Sequence, residues 1–239
     1  MTIPEADKNA SRYGIYFSPS QGSLLEILGC RWLGRIAESG ESGDPFLHDT
    51  MKHEEWLRVT ESPRRYGFHA TLKPPFRLSE SATFADLQRA LQDFASRHKS
   101  FMAPALRVNR LGHFLALTLS EPSQAFTRLA SASVAEFERF RAPATAQELA
   151  RRLHGSLSSR EREHVLRWGY PYVFDTWQFH MTLTGALPPS SLSVLEQYLA
   201  QRFAPVTQES WLVDSVCIFH EPYPEAAFQL VSRASLGSS

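Results

Sequence analysis

The chain has 239 residues, 43% of them hydrophobic and 21% charged, a composition that supports a buried core and excludes disorder. Its 25 Lys and Arg balance 25 Asp and Glu, which excludes a surface built to hold nucleic acid or anionic lipid by net charge alone. Two cysteines, Cys30 and Cys217, without a C-x-x-C or a Cys/His cluster, exclude a disulfide-stapled scaffold and read as buried thiols among apolar neighbours.

The N-terminal MTIPEADKNASR is polar, carries Pro4 and has no apolar run, so it does not read as a signal peptide. With no stretch near 18 apolar residues, a cytoplasmic protein without membrane association is expected. Residues 13–19 (YGIYFSP) predict a short buried strand ending at Pro19, and 22–34 a helix with Leu24, Leu25, Leu28 and Trp32 at helical spacing. Segment 37–62, with His48 and His53, reads mostly as surface loop. RRYGFHATLKPPF (64–76) predicts a strand that stops near Lys73, because Pro74 and Pro75 cannot serve a central ladder. An amphipathic helix follows at 84–97, then strands 106–111 and 114–119 as a hairpin around Gly112.

The second half repeats this order. FLALTLSEPSQAF (114–126) echoes YGIYFSPSQGSLL (13–25), and a helix is predicted over 124–140. Residues 142–168 form a charged helical insertion with Ser158 and Glu161 in capping-box positions; His154 and His164 are expected to be solvated there. TWQFHMTLTGALPP (176–189) matches YGFHATLKPP in its H-x-T-L core and its terminating proline pair. A helix at 191–203 and strands at 211–219 and 227–234 complete the half.

The expected fold is α+β: two pseudo-symmetric lobes with facing antiparallel sheets and outer helices in a single domain over 1–239. The N-terminal lobe core runs over about 12–111 and the C-terminal lobe core over about 113–234.

Residues i and i+2 of a strand share a face, so His69 pairs with Thr71 and His180 with Thr182, while Ala70, Leu72, Met181 and Leu183 turn to the core. Two such pairs across a cleft suit phosphoryl chemistry. One imidazole takes a proton from water, the opposite imidazolium protonates the departing oxygen, and the two hydroxyls steady the non-bridging oxygens. This scheme needs no metal or cofactor, and a cyclic phosphodiester fits it best. By parity Arg65 and Lys73 join the same face as phosphate-binding cations, and Gln178 and Thr184 line the second strand. Tyr13, Tyr16, Tyr170 and Tyr172 are candidates for closing over a sugar, and Arg233 for a substrate phosphate. His220 is a candidate for the cleft edge, His98 for a helix C-terminus and His113 for a turn.

Paired H-x-T motifs in two similar halves resemble the 2H phosphoesterase superfamily. The longer context, RYGIYFSP, CRWLGR, PRRYGFHATLKPPFRL and FHMTLTG, is similar to the DUF1045 proteins associated with phosphonate metabolism. The resemblance implies a metal-independent cyclic phosphodiesterase with His69 and His180 as acid and base and Thr71 and Thr182 as phosphate ligands. The narrower likeness implies opening of a ribose cyclic phosphate that bears a 5-phosphate, during carbon–phosphorus bond breakdown. The expected partner is therefore a small phosphorylated sugar or nucleotide substrate, without an obligate protein partner. RNA is disfavoured because no basic track extends beyond the cleft. The alternatives are a 2',3'-cyclic phosphodiesterase or ligase acting on RNA ends or nucleotides, and a non-catalytic phosphosugar or nucleotide-binding protein.

Overall fold

A computed structural model describes residues 11–43, 45 and 51–238; the polar N-terminal lead and His48 lie outside them. The apolar run RYGIYF forms β1 (Arg12–Phe17), followed by α1 (Leu24–Leu33), which Ser23 caps by accepting from the Glu26 N–H. Next come α2 (His53–Tyr66), β2 (Ala70–Phe76), α3 (Phe84–Ser96), β3 (Phe101–Ala103), β4 (Leu106–Leu111) and β5 (Phe114–Leu119). The second half contains α4 (Gln124–Phe137), α5 (Ala146–Leu153), α6 (Ser159–Trp168), β6 (Met181–Thr182), α7 (Pro189–Phe203), β7 (Trp211–Val213), β8 (Ser215–Glu221) and β9 (Gln229–Ser235). Short 3-10 turns occupy Glu138–Phe140, Phe174–Thr176 and Ala204–Val206.

The class is α+β with a large antiparallel sheet. Seven strands run in the order β4-β5-β6-β2-β1-β8-β9, and β3 pairs with β7 in a separate ribbon. The repeat appears in this order as a pseudo-two-fold: β1, β2 and β4 of the first half correspond to β5, β6 and β8 of the second. The hairpin partner of β5 is β4, and β8 lies against β1, so the last repeated strand of each half pairs with the first strand of the other, while β9 extends the sheet beyond β8.

At the centre, the two motif strands are direct neighbours within one sheet. They meet through one pair, Ala70 with Met181. So narrow a ladder leaves carbonyls to be satisfied by other donors. The Trp177 indole donates to the Thr71 carbonyl at 2.9 Å and the Trp32 indole to the Leu183 carbonyl at 2.8 Å. Behind the sheet, Ala70, Leu72, Met181 and Leu183 are buried in the main core with Phe94, Phe126, Phe137 and Leu199 from α3, α4 and α7. On the opposite face a smaller apolar cluster, with Tyr16, Phe219 and Phe228, underlies one end of the cleft.

Three expectations change here. Residues 53–66 of the expected loop form α2, whose buried Trp56, Val59, Thr60 and Pro63 make a stripe at helical spacing. His53 is its first residue. β2 continues through Pro74 and Pro75 to Phe76, because β6 is only two residues long and leaves that edge of β2 open, where a missing N–H costs little. In the insertion, the Ser158/Glu161 capping box forms, but His164 is buried, bonded to Pro171 and Thr176 with Nε2 3.2 Å from Asp175 Oδ1. His154 is exposed as expected. No helix among the described residues is long and apolar enough to cross a membrane.

Candidate active site

The single pair Ala70–Met181 fixes the geometry of the motifs. In antiparallel register it sets His69 across from Thr182 and Thr71 across from His180, all four on the face opposite the buried Ala70 and Met181. A two-fold through that pair exchanges the two motifs. The four side chains are half-buried, and a cleft of about 260 Å³ opens over His69, Thr71 and Thr182, with His180 beside it.

Both imidazoles are oriented in the same way. His69 Nδ1 donates to the Gly67 carbonyl at 2.9 Å, and His180 Nδ1 donates to the Gln178 carbonyl at 2.9 Å. Each bond fixes the tautomer and leaves Nε2 as the basic nitrogen of the neutral ring. At His69 that nitrogen lies 3.2 Å from Thr71 Oγ1, so the hydroxyl donates to it. Burial lowers the His69 pKa to about 4 against the opposing bond to Gly67, and the nearby His180 lowers it further. Burial also lowers His180, opposed by its bond to Gln178. Two neutral imidazoles therefore face the cleft. The Tyr16 ring stacks on His69 with centroids 4.0 Å apart, and Tyr66 stacks from farther away at 6.0 Å.

Gly67 carries its share of this arrangement. Its φ of 79° and ψ of 174° belong to a region that only glycine adopts readily, and it connects α2 to the motif strand. A Cβ there would lie 2.7 Å from the Ala37 Cβ.

Several flanking residues lie elsewhere than their parity predicted. The β1–β2 register shifts between Tyr16, opposite Thr71, and Ile15, opposite Lys73. That irregularity turns Lys73 to the core, where Nζ donates to Glu138 at 2.7 Å and to the Val134 carbonyl at 3.1 Å. Arg65 belongs to the last turn of α2 and is bound to the buried Glu221 carboxylate and the Ala226 carbonyl. Thr184 is buried past the end of β6, accepting from the Leu115 N–H and donating to the Gly185 carbonyl. Gln178 is exposed and serves through its carbonyl. Tyr13 packs on Phe84 and His220, on the core side of β1. Tyr172 is exposed against Tyr170. Arg233 bonds the carbonyls of Ser18 and Pro19. Of the aromatic candidates, Tyr16 and Tyr170 line the cleft.

Other cleft-lining residues were not singled out from the sequence: Arg12, Tyr66 and Arg152, with the backs of Pro74 and Pro75. Arg12 shares the parity of Tyr16 on β1, a signal that was legible. Arg152 comes from α5, in the insertion, and no local pattern connects it to the motifs. A larger depression of about 910 Å³ lies along α2 between Arg58, Arg64, Arg65 and Glu225, but it contains none of the motif residues. The smaller cleft holds the reactive groups.

The sequence model of the DUF1045 family, described as a protein of unknown function, matches residues 71–229. Over 230 residues the chain is 35% identical to the ribose 1,5-bisphosphate phosphokinase PhnN of Janthinobacterium sp. (strain Marseille), an alignment covering 93% of this chain and 50% of that protein. The PhnN of Laribacter hongkongensis is 32% identical over 227 residues, with 92% and 50% covered. The chain thus spans about half the length of the curated relatives it matches. Among solved structures, E. coli LigT complexed with 3'-AMP aligns at a TM-score of 0.44 and 12% identity over 95% of this chain and 99% of that one. TT0787 of Thermus thermophilus aligns at 0.47 and 15%, with 95% and 99% covered. With the family match running from Thr71 through the second motif to Gln229, the chain belongs to the DUF1045 family.

Proposed function

We propose that this protein is a cyclic phosphodiesterase of the 2H type that opens a small sugar cyclic phosphate, 5-phosphoribosyl 1,2-cyclic phosphate in phosphonate breakdown. The observation that carries this reading is the Ala70–Met181 pair, which sets two His/Thr motifs on one face in two-fold register. In the reaction one neutral imidazole takes a proton from water as the water oxygen bonds to phosphorus. The phosphorus–oxygen bond to one sugar oxygen breaks, and the opposite imidazolium protonates that oxygen. Thr71 and Thr182 donate to the non-bridging oxygens, where charge accumulates. Burial holds both histidines neutral, so the bound phosphodiester anion supplies the opposite charge that lets one of them take up its proton.

The sugar assignment is supported by the size of the cleft and by the names of the curated relatives, which specify ribose carrying phosphates at positions 1 and 5. The phosphokinase activity in those names is not carried over. This chain contains no G-x-x-x-x-G-K-[S/T] phosphate loop, and the paired motifs have the chemistry of diester opening.

Phosphorus NMR of the protein in EDTA, with 5-phosphoribosyl 1,2-cyclic phosphate and a 2',3'-cyclic nucleotide in parallel, tests the reading. Rapid loss of the ribosyl cyclic signal is expected. His69→Ala and His180→Ala are each expected to slow it by roughly 100- to 10,000-fold, the range for loss of a positioned acid or base. Full turnover in either variant would overturn the paired mechanism. Preference for the nucleotide would move the assignment to RNA ends or nucleotides, and turnover of neither would overturn the proposed activity.

A further inference from the structure

The cations that parity pointed to, Lys73 bonded to Glu138 and Arg65 bonded to Glu221, do not line the cleft. The cleft contains another positive group. Arg152 projects into it from α5, a helix with no buried residue of its own. Among the described residues the Arg152 guanidinium makes no hydrogen bond or ion pair. Glu148, one turn earlier, acts on it at longer range, but that carboxylate is bonded to Arg77 and to the Thr145 N–H.

The surroundings of Arg152 also favour an anion. Tyr16 is fully buried, lines the cleft and has a hydroxyl without a hydrogen-bond partner. Its phenol lies within electrostatic reach of Tyr66, Tyr170 and Arg12, and Tyr170 within reach of Arg152. Arg12 and Arg65 share the single carboxylate of Glu221. Arg12 and Arg152 both line the cleft, and the one carboxylate bonded to Arg12 is shared with Arg65, so the lining carries a positive surplus that suits a phosphomonoester. The Arg152 guanidinium passes close to Gly169, the left-handed cap of α6, where a Cβ would lie 3.1 Å from its Nη1.

We propose that Arg152, with Arg12 and the phenols of Tyr16, Tyr66 and Tyr170, forms a subsite for a phosphomonoester carried by the substrate, separate from the phosphorus that reacts between the motifs. The proposal rests on the cyclic-phosphodiesterase reading and names its specificity element: the insertion selects a cyclic phosphate with a second, terminal phosphate over one without it. An otherwise unpaired guanidinium in a partly enclosed cleft forms charge-assisted bonds with such a group. Those bonds discriminate strongly, because a substrate lacking the group leaves the donors unsatisfied.

Two measurements test it. The first compares kcat/KM for 5-phosphoribosyl 1,2-cyclic phosphate and for ribosyl 1,2-cyclic phosphate in the wild type, Arg152→Met and Arg152→Lys. The ratio between the two substrates is expected to fall roughly 10- to 100-fold in Arg152→Met, mainly through KM, with part restored in Arg152→Lys. An unchanged ratio overturns the subsite. The second is calorimetric titration with ribose 5-phosphate, which needs no turnover. The wild type is expected to bind it and Arg152→Met to bind it at least about tenfold more weakly. Absence of binding to the wild type, or equal binding to Arg152→Met, overturns the proposal. If neither cyclic phosphate is hydrolysed, the catalytic reading fails while the titration still decides the subsite. Circular dichroism melts check that Arg152→Met is folded; if it is not, Arg152→Lys and Tyr170→Phe carry both comparisons.

Discussion

The histidine that is buried most deeply in the cleft also sets a stability limit. His69 has a pKa near 4 in the folded protein, well below its ordinary value of 6.5. Between those two values the unfolded chain binds a proton that the folded chain refuses, so folding stability is complete above pH 6.5 and declines as pH falls through the window toward 4. The melting temperature is expected to drop over that interval, and His69→Asn to flatten part of the slope; an unaltered slope in that variant would assign it to other groups. Lys73 gives a contrasting case. It sits two residues from a motif threonine, yet its ammonium belongs to Glu138, which Arg141 also holds at 2.6 Å. Lys73→Met therefore leaves no isolated buried charge and is expected to cost roughly 1 kcal/mol in denaturant unfolding. Turnover of the cyclic phosphate should be unaffected. A large rise in KM would mean that the ammonium reaches substrate after all.

At the scale of elements, strong local patterns were legible and context-dependent ones were not. The stripes of α3, α4 and α7, the β4–β5 hairpin and the alternation that buries Ala70, Leu72, Met181 and Leu183 all follow from short-range periodicity. The four motif residues followed from the same alternation plus the repeat. Parity failed one or two residues farther out, at Lys73 and Thr184, because a register shift and the end of a two-residue strand reset which face is which. The α2 helix was obscured by Pro63 and by a low apolar content, although Trp56, Val59 and Thr60 mark its inner face. The junction between α2 and β2 makes its own prediction. Gly67→Ala forces a side chain into a backbone region reserved for glycine and against Ala37, at an expected cost of about 1–3 kcal/mol. It also displaces the carbonyl that holds His69, so kcat should fall even where the variant is fully folded. A folded variant with unchanged kcat would show that this hydrogen bond does not position the ring.

For the whole molecule, the decisive feature is that neither half is complete. Residues 11–112 contain β1 and β2 but not β8, and their β4 has its partner in β5. Expressed alone, that segment is expected to fail to fold as a monomer, by size exclusion and circular dichroism, because β1, β2, β3 and β4 would each lose a pairing partner and part of the core face would be left uncovered. A stable folded monomer would contradict this account of the sheet. The exchange of terminal strands also has a meaning for ancestry. If the two halves were separate identical chains, each giving its last strand to the other around a two-fold axis, the assembly would be a domain-swapped homodimer. In such a dimer both histidines would be one residue, met by its own copy across the symmetry axis. Fusion into one chain frees the two copies to diverge, so that one side of the axis can gain an arginine-bearing helix without burdening the other.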